Sequence, residues 1–271
     1  MIIKKIINSS LLQIFKLMPV RIKQVLAKII SDTLTNHHIF DLEVIQGTNP
    51  EAEYMRTYRA SLSKAGDEKT DNIYKILRHL NLYSYIEDVL RREIPGDFAE
   101  CGCWNGNSLF ATKSFIDKHK SKKSIHVFDS FEGGLSEFKE KDFKGGSIHS
   151  TDQADKVSKI FSSSYSELIK KTEELSRINI NKGWVPDVFK TQEERSYSFV
   201  HIDLDLYEPI IESYKYFFER LSKGGVMICD DYGYKQFPGA SVAVNEFIES
   251  LENSSYSHFI KHSMGTCVII K

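Results

Sequence analysis

The stretch Phe98-Ala-Glu-Cys-Gly-Cys-Trp-Asn-Gly-Asn-Ser108 decides the fold. A short apolar run, Phe98–Cys101, carries the acid Glu100. A turn bearing Gly102 and Gly106 follows, and a helix begins near Ser108. Strand, glycine turn and helix in that order make the first unit of an open α/β sheet, where ligands sit at the carboxyl ends of the strands. Upstream, Pro95-Gly96 closes a region, residues 1–94, that reads as mostly helical. Within it, Asp71 to Arg92 places Ile73, Ile76, Leu77, Leu80, Tyr83, Ile86 and Leu90 three and four apart. Downstream, apolar runs at Ile125–Asp129, Ile178–Ile180, Phe199–Leu204 and Val226–Asp230 alternate with helical stretches. One such helix starts at Pro209 and ends at Gly224-Gly225. Two last runs, His258–Ile260 and Thr266–Ile270, flank Met264-Gly265 and read as a hairpin. The alternation predicts a doubly wound, Rossmann-like parallel sheet over residues 95–271, ending in an antiparallel hairpin and preceded by a helical N-terminal extension. Between Phe131 and Thr151, the pairs Gly133-Gly134 and Gly145-Gly146 among charged residues read as a long mobile loop, either a lid or a solvated spacer.

The 271 residues carry 36 Lys+Arg and 37 Asp+Glu, a formal net charge of -1, with 41% hydrophobic residues. That balance fits a globular chain with a large core and argues against a dedicated nucleic-acid binder, whose footprint is basic. Cys101, Cys103, Cys229 and Cys267 follow no metal or redox spacing and read as reduced thiols of a cytoplasmic protein. Residues 1–30 hold Lys4, Lys5, Lys16, Arg21, Lys23 and Lys28, with Ile3, Ile7, Leu11, Ile14, Phe15 and Met18 on one helical face. The charges interrupt any span of about 20 apolar residues, and Lys16 breaks a signal-peptide core. A helix packed on the domain or on a second subunit is the expectation, with peripheral membrane contact as the alternative.

Chemistry-bearing residues gather at predicted strand ends. Asp129 ends the second strand, where an acid can accept hydrogen bonds from ribose hydroxyls or cap a helix. His201-Ile-Asp-Leu-Asp-Leu-Tyr207 and Cys229-Asp-Asp-Tyr-Gly233 each close a later strand. Carboxylates converging on one rim repel one another unless a cation joins them, and hard cations such as Mg²⁺ take oxygen ligands. Asp203, Asp230 and Asp231 fit that role, and Asp205 is expected to cap the following helix. His126 and His201 are expected to be packed. The glycine turn lacks the third glycine of the dinucleotide motif. Its E-x-G-x-x-x-G form is the one seen with S-adenosylmethionine (SAM).

In sequence order, Gly96-Asp-Phe-Ala-Glu-x-Gly-x-Trp-x-Gly106, Phe128-Asp-Ser-Phe-Glu-Gly133, Lys182-Gly-Trp-Val-Pro-Asp187, His201–Tyr207, Gly225 to Gly233 and Pro238 to Phe247 resemble the macrocin O-methyltransferase family of sugar O-methyltransferases, over about residues 95–250. The resemblance implies a class I methyltransferase fold, and SAM- and Mg²⁺-dependent methylation of a sugar hydroxyl in a glycan or secondary metabolite. It places Glu100, Gly102, Trp104, Gly106, Asp129, Ser130, Gly183 and Trp184 around SAM. It gives Asp203, Asp230 and Asp231 to the metal, makes Asp203 the base, and implies a homo-oligomer. Leu204 replaces the glycine of the family's H-I-D-G-D-L-Y, and Val185 and Val188 alter its G-W-F-x-D-T-L element. Such changes bear on the acceptor, since substrate contacts come from variable loops. A catechol or other vicinal diol is the alternative acceptor. A noncatalytic module of a polysaccharide assembly complex is the alternative of another class.

Overall fold

The computed structural model describes residues 50–271 apart from 253, 263 and 264. The amphipathic stretch at residues 1–30, with its packing and membrane readings, lies outside the described residues. Tyr54–Lys271 form one compact unit. No helix among the described residues is long and apolar enough to cross a membrane.

Helices α1 (Pro50–Ala65) and α2 (Ile73–Arg91) precede the sheet. The next elements are β1 (Asp97–Cys101), α3 (Asn107–Lys118), β2 (Ile125–Asp129), α4 (Glu140–Phe143), α5 (Thr151–Ser158), α6 (Tyr165–Thr172) and β3 (Ile178–Lys182). The chain ends with β4 (Tyr197–Ile202), α7 (Tyr207–Arg220), β5 (Leu221–Cys229), α8 (Pro238–Ser250), β6 (His258–His262) and β7 (Thr266–Ile270). The strands form a single sheet in the order β3-β2-β1-β4-β5-β7-β6. Pairing is parallel from β3 to β5, and β7 runs antiparallel to both β5 and β6. This is the expected doubly wound sheet with its terminal hairpin. The chain reverses direction in strand order between β1 and β4, so the carboxyl ends of those strands open a crevice.

Strand alternation sorts the residues that matter. Ala99, Cys101, Val200, Ile202, Met227 and Cys229 belong to one buried cluster with Ile210, Tyr214 and Phe217 of α7 and Val244 and Phe247 of α8. By the two-residue period, Glu100 and His201 face the other side of the sheet. They lie opposite each other in the β1–β4 register and are both buried. The cysteines are buried and unbonded. Asn72 sets the start of α2, its side chain accepting the Lys75 N–H at 3.0 Å, as N-cap residues do.

Two sequence expectations shift. The helix expected to run to Gly224-Gly225 ends at Arg220, because Leu221 already pairs with Tyr197 as strand. The glycines fall instead where the β4–β5 register slips between Tyr197 and Phe199. The stretch 131–151 is also more than a loop. It contains α4, and Leu135, Phe138 and Phe143 pack on Ile148, Ala154, Leu206 and Phe237 in a second, smaller core. Asp142 fastens it. Its fully buried carboxylate accepts the N–H groups of Lys139 and Tyr207, both at 2.8 Å. A Cβ at position 239 would overlap Asp142 Oδ1, so Gly239 leaves the space the carboxylate fills. Lys141 adds a bond to Glu246 at 2.7 Å. Asp142→Ala removes the acceptor of the Lys139 and Tyr207 N–H groups, and should cost about 2 kcal/mol. Differential scanning calorimetry should then show the melting temperature falling by roughly 4–8 °C.

Candidate active site

The glycine turn after β1 is held from both neighbouring strands. Gly102 N–H donates to Phe128 O at 2.8 Å, and Asp203 N–H donates to Cys101 O at 2.9 Å. Gly102 is left-handed (φ 80°), and a Cβ there would overlap the Asp203 carbonyl oxygen. A side chain at 102 is therefore excluded by strain and by space. Asp129 holds the turn from below. Its Oδ2 accepts the N–H groups of Cys103 (2.9 Å) and Trp104 (3.1 Å), and its Oδ1 accepts that of Phe131 (3.0 Å). A carboxylate offers about four lone-pair sites, so one remains for a ligand hydroxyl. Trp104 is itself left-handed (φ 46°), a conformation these bonds support.

A cavity of about 330 Å³ opens over this turn. Of the residues singled out from sequence, Gly102, Trp104, Asp129, Ser130, Gly183, Trp184, Asp203, Asp230 and Asp231 line it. Two stand apart. Glu100 is buried beneath the turn, where Ser108 Oγ donates to its Oε1 while Oε2 has no hydrogen-bond partner. Gly106 caps α3 (φ 92°), and a Cβ there would press on Leu168 and Phe110. Trp184 donates through Nε1 to Glu132 at 3.0 Å, which orients its ring along the wall.

The acids converge as the strand ends predict. Asp203 follows β4, Asp230 and Asp231 follow β5, and all face the cavity with Asp205. Asp205 does not cap α7. The N-cap is Leu206, without a side-chain bond, and the Asp205 N–H donates to Asp231 Oδ2 at 3.0 Å. The physical reason is a tight turn, closed by Leu206 N–H to Leu204 O at 2.6 Å, with Asp205 left-handed at its centre (φ 61°). That turn swings the carboxyl into the cavity. It also explains why Leu204 can stand where the family pattern has glycine, since the left-handed residue is the next one. His201, Asp203 and Asp230 each offer a ligand atom within 4.8 Å of the others. His201 is buried as expected, with Nδ1 3.4 Å from Glu100 Oε1 and Nε2 3.6 Å from Asp230 Oδ2. Burial works against its charge, but these acids raise its pKa well above the usual imidazole value. Burial and the neighbouring Asp230 raise that of Asp203, and burial with the other acids raises those of Asp205 and Asp231. Burial opposes ionisation of Asp230 too, yet Arg78 and His201 hold its pKa low. Asp230 Oδ1 has no hydrogen-bond partner.

Sequence reasoning missed the wall supplied by the segment before the sheet. Thr70, Lys75, Arg78 and His79 line the cavity. Arg78 Nη1 lies 3.7 Å from Asp230 Oδ2. His79 is buried, which pushes its pKa down to about 3 and leaves it neutral. The signal was the i, i+3, i+4 spacing of Lys75, Arg78 and His79, one helix face, but a charged face of that kind ordinarily meets solvent. Phe161, Tyr234 and Phe237 were also missed, and they supply an aromatic side to the mouth. Together the site offers a backbone cradle, the Asp129 carboxylate with one lone pair unused, and a concentration of acids facing one void.

A family model described as Macrocin-O-methyltransferase (TylF) matches residues 27–255. The demethyldecarbamoylnovobiocin O-methyltransferase of Streptomyces niveus is 24% identical over 196 residues, covering 70% of this chain and 74% of that one. The 8-demethyl-8-(2,3-dimethoxy-alpha-L-rhamnosyl)-tetracenomycin-C 4'-O-methyltransferase of Streptomyces olivaceus is 27% identical over 165 residues, 56% of this chain and 59% of its own length. The solved O-methyltransferase NovP superposes with a TM-score of 0.60 at 22% identity, over 70% of this chain and 78% of its own, a likeness of fold. The family model spans most of the chain, so this protein belongs to the macrocin-O-methyltransferase (TylF) family and is an S-adenosylmethionine-dependent O-methyltransferase.

Proposed function

We propose that the protein methylates a hydroxyl of a sugar, in a glycan or a glycosylated secondary metabolite, with Mg²⁺ held by Asp203, Asp230 and Asp231. The observation that carries this reading is the gathering of carboxylates, beside the glycine turn, at the ends of β4 and β5. A relative whose name specifies a rhamnosyl acceptor supports the sugar. The residues fit a hard cation. Asp230 Oδ1 is buried without a partner, and Asp203 opens to the cavity. Asp231 keeps Oδ1 for a ligand while its Oδ2 accepts the Asp205 N–H.

When bound, such a cation lowers the pKa of a hydroxyl held beside it. The chain's own residues do the rest. Asp203, which opens to the cavity beside the glycine turn, takes the hydroxyl proton. The backbone at Gly102 and Trp104, with Asp129, Ser130, Gly183 and Trp184, fixes the methyl donor. The transferred methyl leaves a neutral thioether, so the remaining work is alignment of the hydroxyl oxygen with the sulfonium bond. Phe161, Phe237 and Leu135 keep water from that face of the cavity.

Three outcomes are expected. Isothermal titration should detect Mg²⁺ binding with release of protons, read from the buffer dependence of the heat. The raised pKa values of Asp203, Asp205 and Asp231 mean that protons compete for the same oxygens, so cation affinity should fall as pH falls through those values. Asp203→Asn should retain S-adenosylhomocysteine binding while kcat drops by about 10²- to 10⁴-fold. Gly102→Ala should instead abolish S-adenosylhomocysteine binding. A panel of nucleotide sugars, glycolipids and catechols with labelled methyl donor identifies the acceptor. Turnover of catechols with none of sugars would overturn the sugar reading, and full activity of Asp203→Asn would overturn the assignment of the base.

A further inference from the structure

We infer that Lys75, with Thr70 beside it, binds the α-carboxylate of the methyl donor. This rests on the methyl-donor reading of the cavity and adds residues that lie upstream of the sheet. The amino-acid end of that donor carries one ammonium and one carboxylate. The carboxylate needs a cation at the same end of the cavity. Among the described residues lining it, Lys75 and Arg78 carry such charge. Arg78 is engaged by the acids. It lies 3.7 Å from Asp230 Oδ2, and although burial opposes its charge, Asp230, Asp203, Asp231 and Asp205 raise its pKa above the usual guanidinium value.

Lys75 stands differently. Its Nζ lies 5.4 Å from the centre of the Trp104 ring, over the glycine turn itself. It donates to Thr70 Oγ1 at 3.1 Å. It forms an ion pair with Asp67 Oδ2 at 3.9 Å, beyond hydrogen-bond reach, and that oxygen has no hydrogen-bond partner. Asp67 uses Oδ1 to accept from Asn105 Nδ2 of the same turn at 2.7 Å. Lys75 is thus a largely buried cation, its side chain 12% exposed, held at the cavity wall with a long ion pair to Asp67 that leaves room for a nearer anion. Burial lowers its pKa against the pull of Asp67, Asp71 and Asp203. A ligand carboxylate can approach Lys75 more closely than Asp67 does and take a charge-assisted hydrogen bond from it, while Thr70, whose hydroxyl donates to Asp67 O at 2.9 Å, holds the ammonium in place. The N-cap bond from Asn72 to the Lys75 backbone fixes the first turn of α2 and so aims the side chain.

The test is a ligand–mutant cycle by isothermal titration. The ligands are S-adenosylhomocysteine and its decarboxylated analogue, which keeps the amine, the thioether and the nucleoside. The wild-type chain should bind S-adenosylhomocysteine about 10- to 100-fold more tightly than the analogue. Lys75→Met should weaken S-adenosylhomocysteine by that factor and leave the analogue within about twofold of wild type. A purely structural role, as counter-ion to Asp67, would weaken both ligands equally, and that result overturns the assignment. Unchanged S-adenosylhomocysteine affinity, as expected if Lys75 serves an anionic group of the acceptor, overturns it as well. Lys75→Gln repeats the cycle with a polar, uncharged side chain should the Met variant unfold. If the wild-type chain binds neither ligand, the methyl-donor reading itself falls and this assignment with it. Binding by wild type with no difference between the ligands overturns the carboxylate site alone.

Discussion

One close backbone approach governs the chemistry of the site. At Gly102 the backbone of the glycine turn comes against the backbone of Asp203, with no room for even a methyl group between them. Neighbouring parallel strands run about 4.8 Å apart, and the β1–β4 pairing carries that spacing past the last paired residues, through Asp203 N–H to Cys101 O. The proposed donor cradle and the proposed base are therefore parts of one hydrogen-bonded ladder. Their separation is set by sheet geometry, the stiffest ruler a domain has. Alignment of a methyl group with an attacking oxygen is sensitive to displacements of about 1 Å, and a ladder holds it better than two independent loops would.

Charge forms the second layer. Asp203, Asp205, Asp230 and Asp231 crowd one void, and the fold meets their repulsion from two sides. Arg78 reaches in from α2, and His201 sits between Glu100 and Asp230 with its pKa raised by both. These partners leave Asp230 Oδ1 without a bond. The site is neutralised enough to fold yet keeps open oxygens, the condition under which a divalent cation can enter.

Much of this was legible in the residues, and the exceptions have physical causes. The parallel strands betrayed themselves as short apolar runs because both faces of the sheet are covered, and the acids at their ends marked the rim. Asp205 was misread because a cap is the ordinary use of an Asp before a helix, and nothing in the sequence shows that Leu204 and Leu206 close a tight turn around it. The segment 131–151 looked like a long mobile loop, lid or spacer, because glycines and lysines dilute Leu135, Phe138, Phe143 and Ile148, whose packing partners Leu206 and Phe237 lie far along the chain. Lys75 and Arg78 were invisible for a related reason. A charged helix face looks the same whether it meets water or a cavity, and only the tertiary arrangement tells them apart.

That second small core has a consequence for how the cavity can change. Leu135, Phe161 and Phe237 line the cavity, yet they pack in a cluster separate from the one that holds the sheet to α7 and α8. Substitutions there reshape that wall of the cavity without loosening the ladder between Gly102 and Asp203. The chain thus separates what must stay fixed from what can drift: an inherited reaction bolted to the sheet, and a removable mould for whatever molecule is to receive the methyl group.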